Sequence, residues 1–199
     1  MLDLTPNIRG SVKKVNPFRV MTVMHRASEL EAEGRKIVHM EVGEPDFSTA
    51  APIINAAKEA LDQGLTQYTV APGIPQLREC LVGHYREKYG VEISLDRILI
   101  TPGASGGLGL LANMLVTAGD GVLLSDPAYP CVRNFIHLMA AEPQLIPVGL
   151  EQNFQPTVDQ LESHYQENTS GLWLASPGNP TVDRSRRADM LHVQARAGT

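Results

Sequence analysis

Cysteine, basic charge and long apolar runs are all scarce in this chain. Only Cys80 and Cys131 occur among 199 residues, and their spacing suits neither a disulfide framework nor a thiolate metal site. Both thiols are expected to be reduced and structural, in a cytoplasmic setting. The six histidines are dispersed, with no HExxH or paired-ligand pattern, so no metal site is predicted. A formal net charge of −5 argues against a nucleic-acid surface, which needs a basic face to meet phosphates. The one basic cluster, Arg184, Arg186 and Arg187, reads as a solvated helix start. No run reaches transmembrane length, and the first twenty residues lack the apolar segment and cleavage site of a secretory leader. What is present is ordinary for a protein with one buried core: 43% hydrophobic and 20% charged residues.

Periodicity and punctuation divide the chain. The first nineteen residues read as an arm, and Val20 to Glu33 has helical spacing that stops at Gly34. A short strand is expected at Ile37–Met40, then helices at Pro52–Gln63 and Ile74–Tyr89, each followed by a glycine. From there the pattern alternates. Strands are predicted at Arg97–Thr101, Val122–Ser125, Gln144–Val148 and Leu172–Ala175. Helices are predicted at Ser105–Leu115, Cys131–Met139, Thr157–Gln166 and from about Arg184 to Arg196. Short β-rich runs separated by helices imply an α/β fold with a parallel or mixed sheet covered on both faces.

In such a sheet, ligands sit beyond the carboxyl ends of the strands. Three loops there carry unusual chemistry: TPGASGGLG (Thr101–Gly109), SDPAYP (Ser125–Pro130) and SPGNPT (Ser176–Thr181). The first joins a strand to a helix through small residues, and a helix start offers unpaired N–H groups and a positive dipole end. That outlines a phosphate cradle, with Ser105 adding a hydroxyl; the same residues also suit an N-cap with tight helix–strand packing. The second loop sets Tyr129 between two prolines, as a stacking platform or as packing. The third presents Asn179, whose amide both donates and accepts. Gly107–Ala112 spells G-x-G-x-x-A, with Asp126 as a ribose-binding acid, but it falls inside the expected helix and not in the turn a dinucleotide site requires.

Taken in order, VGEPDF (Val42–Phe47), QYTVAPGIPQLRE (Gln67–Glu79), TPGASGGL, SDPAYP and SPGNPT resemble the class I/II aminotransferases, which are pyridoxal-phosphate enzymes of fold type I. The resemblance covers nearly the whole chain. It implies a three-layer α/β fold with the mostly parallel sheet of the pyridoxal-phosphate-transferase large domain, incomplete, and an N-terminal arm and small-domain segment. The expected division is 1–45 for the arm and small-domain segment and 46–199 for the partial large domain. By resemblance, the backbone at Gly103, Ala104 and Ser105 holds the phosphate of pyridoxal 5′-phosphate, and Tyr129 stacks on its ring. Asn179 hydrogen-bonds the ring's phenolic oxygen, and Gly43 meets the substrate carboxylate. Tyr68 reaches the phosphate of a partner subunit, which implies a homodimer acting on an amino acid and a 2-oxo acid.

The chain also departs from that family's pattern. Where a glycine normally follows Asn-Pro-Thr, Val182 stands, and the next few residues look shortened. Four functional residues expected further on are absent: the Asp that pairs with the ring nitrogen, a Tyr, the Schiff-base Lys and the carboxylate-clamping Arg. The five lysines present, Lys13, Lys14, Lys36, Lys58 and Lys88, all precede Asn179 and read as surface charge. No catalytic residue is therefore assigned. The expectation is a truncated or interrupted aminotransferase that is inactive by itself. The alternative is a non-catalytic remnant that binds cofactor or phosphate, or that dimerises with an intact relative.

Overall fold

The run Gly121–Asp126 is apolar on both faces, and it forms the centre of the sheet. In this strand, β1, Val122, Leu123 and Leu124 are all buried. It pairs in parallel with β2 (Glu142–Pro147) on one side and β3 (Thr169–Trp173) on the other, giving the order β2-β1-β3. The computed structural model describes residues 9–183. The helix expected from about Arg184 to Arg196, with its arginine cluster, lies outside the described residues. So do residues 1–8 of the arm.

Alternation along β1 assigns its two faces. Val122 and Leu124 pack with Val132 and Ile136 of α5 (Pro130–Leu138) and with Leu108 of α4 (Gly103–Leu115). Leu123 packs on the opposite face with Ile146, Val148 and Leu161, the last from α6 (Val158–His164). Helices therefore cover both faces, which makes this an α/β, three-layer, all-parallel arrangement. The chain leaves β1 through α5 to β2, then crosses back through α6 to β3 beyond β1. Strand order reverses at β1, and such a reversal opens a crevice at the carboxyl ends of the strands.

One polar group is buried in the sheet. The Gln144 side chain is 5% exposed, donates to Asn168 Oδ1 at 3.0 Å and accepts from Thr169 Oγ1 at 2.7 Å. Both partners come from the start of β3, so the amide pins β2 and β3 across the strand between them. Gly121, on β1, leaves room for it: a Cβ there would overlap the Gln144 amide. The β1–β3 register also shifts between Gly121 and Val122.

The described chain forms two units, one from residues up to Arg19 with those from Ala104 onward, the other Val20–Gly103. The second holds α1 (Arg19–Ala32, from its second residue), α2 (Ala51–Asp62) and α3 (Pro75–Tyr89). Proline in the first turn opens α2 and α3, and Gly90, left-handed at φ 64°, closes α3. Arg78 of α3 donates from its guanidinium to the carbonyls of Ile98 and Leu95, tying the helix to the loop after it.

Two expected strands do not form ladders. Residues 37–40 and 98–101 have no sheet pairing, and around Ile100 the bond to Pro72 O at 3.0 Å takes the place of a ladder. The apolar pattern is there; within this unit no second strand offers its N–H and C=O groups. The Leu172–Ala175 strand is also displaced, to Thr169–Trp173. The register against β1 fixes it at Gly121↔Thr169 through Leu124↔Trp173, and residues 174 and 175 run on unpaired past the sheet.

Candidate functional site

The three parallel strands end around one cavity of about 420 Å³. Ser125, Pro127, Ala128 and Tyr129 reach it from the end of β1, and Phe154 and Gln155 from the loop after β2. Trp173, Leu174, Ala175, Gly178 and Asn179 reach it from β3 and the loop that follows. Ala104 and Leu108 of α4, Val132 of α5 and Thr181 also line it. Its composition is apolar and aromatic, with polar groups at a few points, as small-molecule sites are built.

The polar points are positioned by the elements behind them. α4 begins at Gly103, at φ 68°, and the first-turn N–H groups of a helix lack intrahelical partners. A Cβ at Gly103 would meet nothing within 4 Å, so the backbone there faces open space. Ser105, in that first turn, places its hydroxyl 3.2 Å from the Tyr129 hydroxyl. The Tyr129 phenol titrates above its ordinary range, chiefly because the Cys131 thiol bonds to it, with Ser105 pulling the other way. Asp126 is taken up by Arg133, at 3.1 Å, an ion pair across the first turn of α5.

Of the expected site residues, Ala104, Tyr129 and Asn179 share the cavity wall, and Ser105 joins them through Tyr129. Gly103 opens the helix that carries Ala104 and Ser105. Gly43 and Tyr68 belong to the other unit. The Tyr68 side chain is fully exposed, and a Cβ at Gly43 would meet no atom within 4 Å. Gly107–Ala112 lies wholly inside α4, and Asp126 is paired with Arg133, so the dinucleotide pattern has no turn to work from.

Sequence reasoning passed over Trp173, Phe154 and Gln155. Trp173 had a signal, since it sits five residues before Gly178 in an apolar run that empties into a loop. Phe154 had none: it reaches the cavity from a left-handed backbone, at φ 52°, which its residue type does not announce. Among the described residues there is no group of three or more His, Cys, Asp or Glu arranged to hold a metal. No helix among them is long and apolar enough to cross a membrane.

Comparison with known proteins covers almost all of this chain. Residues 35–197 match the family model described as aminotransferase class I and II. A (5-formylfuran-3-yl)methyl phosphate transaminase of Methanocaldococcus jannaschii is 39% identical over 170 residues, covering 84% of this chain and 44% of that protein. An aspartate aminotransferase of Pyrococcus horikoshii is 37% identical over 174 residues, covering 87% and 44% respectively. Among solved structures, an aminotransferase from Mycobacterium tuberculosis superposes with a TM-score of 0.89 at 31% identity, over 98% of this chain and 50% of that one. The chain thus spans about half the length of the curated relatives it matches.

Proposed function

The chain belongs to the class I and II aminotransferases, a pyridoxal-phosphate-dependent family, and on that premise we propose that its strand-end cavity holds pyridoxal 5′-phosphate. The carrying observation is that Ala104, Tyr129 and Asn179, from three separate segments, line one cavity of about 420 Å³. The residues present fit the group. A phosphate needs clustered donors, and the first turn of α4 supplies backbone N–H groups beside the Ser105 hydroxyl. A flat ring needs aromatic and apolar walls, and Tyr129, Trp173, Phe154 and Leu108 supply them. A phenolic oxygen needs a donor, and the Asn179 amide is one.

In this reading Gly103, Ala104 and Ser105 hold the phosphate, Tyr129 presents a ring face, and Asn179 orients the ring. When bound, the cofactor supplies the electron sink for moving an amino group between an amino acid and a 2-oxo acid. The protein's part here is binding, orientation and exclusion of water from an apolar cavity. Gly43 as the contact for a substrate carboxylate, Tyr68 as a donor to a partner's phosphate in a homodimer, and a cytoplasmic location complete the proposal.

The test uses the single tryptophan, Trp173, which lines the cavity. Pyridoxal 5′-phosphate should quench its fluorescence saturably, and Asn179→Ala should weaken that binding by about 0.5–1.5 kcal/mol, the worth of one hydrogen bond. Quenching that never saturates, or that Asn179→Ala leaves unchanged, would reject the assignment. A second reading, cofactor binding without turnover, is favoured by one observation: no lysine lines the cavity.

A further inference from the structure

We infer that the segment ahead of α1 is a positioning device for Tyr129, acting through Phe18; the inference rests on the cavity reading above. A tyrosine in the loop after a strand has its χ1 and χ2 free to choose among rotamers unless neighbours decide. Two rings settle the matter here. The Phe18 and Tyr129 centroids are 6.3 Å apart with the planes at 81°, the edge-to-face arrangement that aromatic quadrupoles favour. Ser105 fixes the far end of the phenol at 3.2 Å, so the ring is held by its hydroxyl and by Phe18. Phe18 does not line the cavity; Tyr129 does. Phe18 therefore acts on a ligand through Tyr129 alone.

Phe18 is itself held to the helix that Tyr129 starts. Two residues before it, the Asn16 N–H donates to Asn134 Oδ1 at 3.0 Å, and Asn134 Nδ2 donates back to the Asn16 carbonyl at 2.8 Å. One side-chain amide thus satisfies both backbone groups of Asn16, as a neighbouring strand would, across 118 residues of sequence. Asn134 lies on α5, whose N-cap is Tyr129, and the 3-10 turn Gly10–Lys14 packs on the same helix. Segment and platform are referenced to one rigid element, so holding Phe18 holds the ring. The composition of the segment gave no sign of this; the pairing of Asn16 with Asn134 exists only in the fold.

The experiment compares two probes on the full chain: pyridoxamine 5′-phosphate, by Trp173 quenching, and inorganic phosphate, by competition against it. Phe18→Ala should weaken pyridoxamine phosphate by about three- to tenfold, as loss of one aromatic pair implies. It should leave the inhibition constant of inorganic phosphate unchanged, because the first turn of α4 holds phosphate without the ring. Phe18→Tyr should restore wild-type affinity, and Asn134→Leu should act in the same direction as Phe18→Ala. Parallel loss of both probes would make Phe18 a general packing residue, and wild-type affinity in Phe18→Ala would remove it from the site; either overturns the inference while leaving the cavity reading intact. A wild-type chain that holds pyridoxamine phosphate no better than inorganic phosphate would overturn both.

Discussion

The hydroxyls of Ser105 and Tyr129 lie 3.2 Å apart, joining the first turn of α4 to the loop after β1 across 24 residues. That contact sets a hydroxyl of the phosphate end beside the ring end of the cavity. Ser105→Ala should weaken phosphate-bearing ligands by about 0.5–1.5 kcal/mol, the usual net worth of a hydrogen bond. Ala104→Leu, which places bulk in the cavity wall, should cost about 1–3 kcal/mol of binding. The control is Ala57→Leu on an exposed position of α2. Equal losses at Ala104 and Ala57, by titration of Trp173 fluorescence, would remove the first turn of α4 from the site.

Gly121 is predicted to be irreplaceable for a reason that has nothing to do with backbone freedom. A Cβ there would overlap the Gln144 amide, and that amide cannot swing away while it bonds Asn168 and Thr169. Gly121→Ala should therefore destabilise the sheet by about 1–3 kcal/mol, as overpacking does. Urea unfolding of the variant against Gly171→Ala, where a Cβ would meet nothing within 4 Å, isolates the effect.

Val182 carries the opposite prediction. It sits at φ 63°, a left-handed conformation that crowds a β-branched side chain, and it is 73% exposed, so no packing compensates. Its N–H donates to the Gly178 carbonyl at 2.7 Å, which keeps the turn closed despite the strain. Val182→Gly should stabilise the loop by about 1 kcal/mol, the scale of the left-handed penalty. A rise in the thermal midpoint is the expected result; a fall would mean that the valine side chain is held by something other than the turn.

How much of this was legible from sequence depends on whether the controlling interaction is local. Helix ends were readable because their signals sit beside them: Pro75 opens α3 and Gly90 closes it, and Thr157 caps α6 by accepting from the Gln160 N–H at 3.2 Å. The strand at Ile37–Met40 failed because extended residues become a strand only when a neighbour pairs with them, and pairing is not encoded in the segment. The loops at 125–130 and 176–181 follow β1 and β3 as expected, whereas 101–109 follows no paired strand and lies mostly inside α4; the cavity still collects Ala104, Tyr129 and Asn179 from the three segments. The partners of Tyr129 were not. Phe18 reaches it only once Asn16 has met Asn134, and no spacing rule spans that distance.

Two histidines should respond to pH with opposite signs. His39 is held above its ordinary range, first by the hydrogen bond to Glu41 at 2.7 Å and then by Glu31 at 3.1 Å. Its contribution to stability is complete below the ordinary imidazole range and is lost as pH rises through the elevated value. His137 is pushed down, first by burial and then by Lys14, and its Nδ1 is buried without a partner. Its neutral form is the one the fold accepts, so stability is complete above the ordinary range and falls as pH drops below it. Nuclear magnetic resonance titration should find the His39 midpoint above that of His137, with Glu41→Gln lowering the first. His137→Leu should remove part of the loss on the acid side.

The last prediction concerns where an amine could do chemistry. A proton-transfer group positioned at the reacting atom is worth roughly 10²–10⁴-fold. None of the five lysines lines the cavity, and all five are exposed: Lys13 and Lys14 on the 3-10 turn, Lys36 after α1, Lys58 on α2 and Lys88 on α3. Covalent capture by lysine needs an amine held at the reacting carbon, not merely present on the surface. Incubating the 199-residue polypeptide with pyridoxal 5′-phosphate, reducing with borohydride and mapping peptides should therefore give label spread over the exposed lysines. Transfer of amino groups to a 2-oxo acid should stay at the level of free cofactor. Stoichiometric labelling of one lysine, blocked by inorganic phosphate and abolished by Asn179→Ala, would place an amine in the cavity. One of these five side chains would then have to leave the surface to reach it.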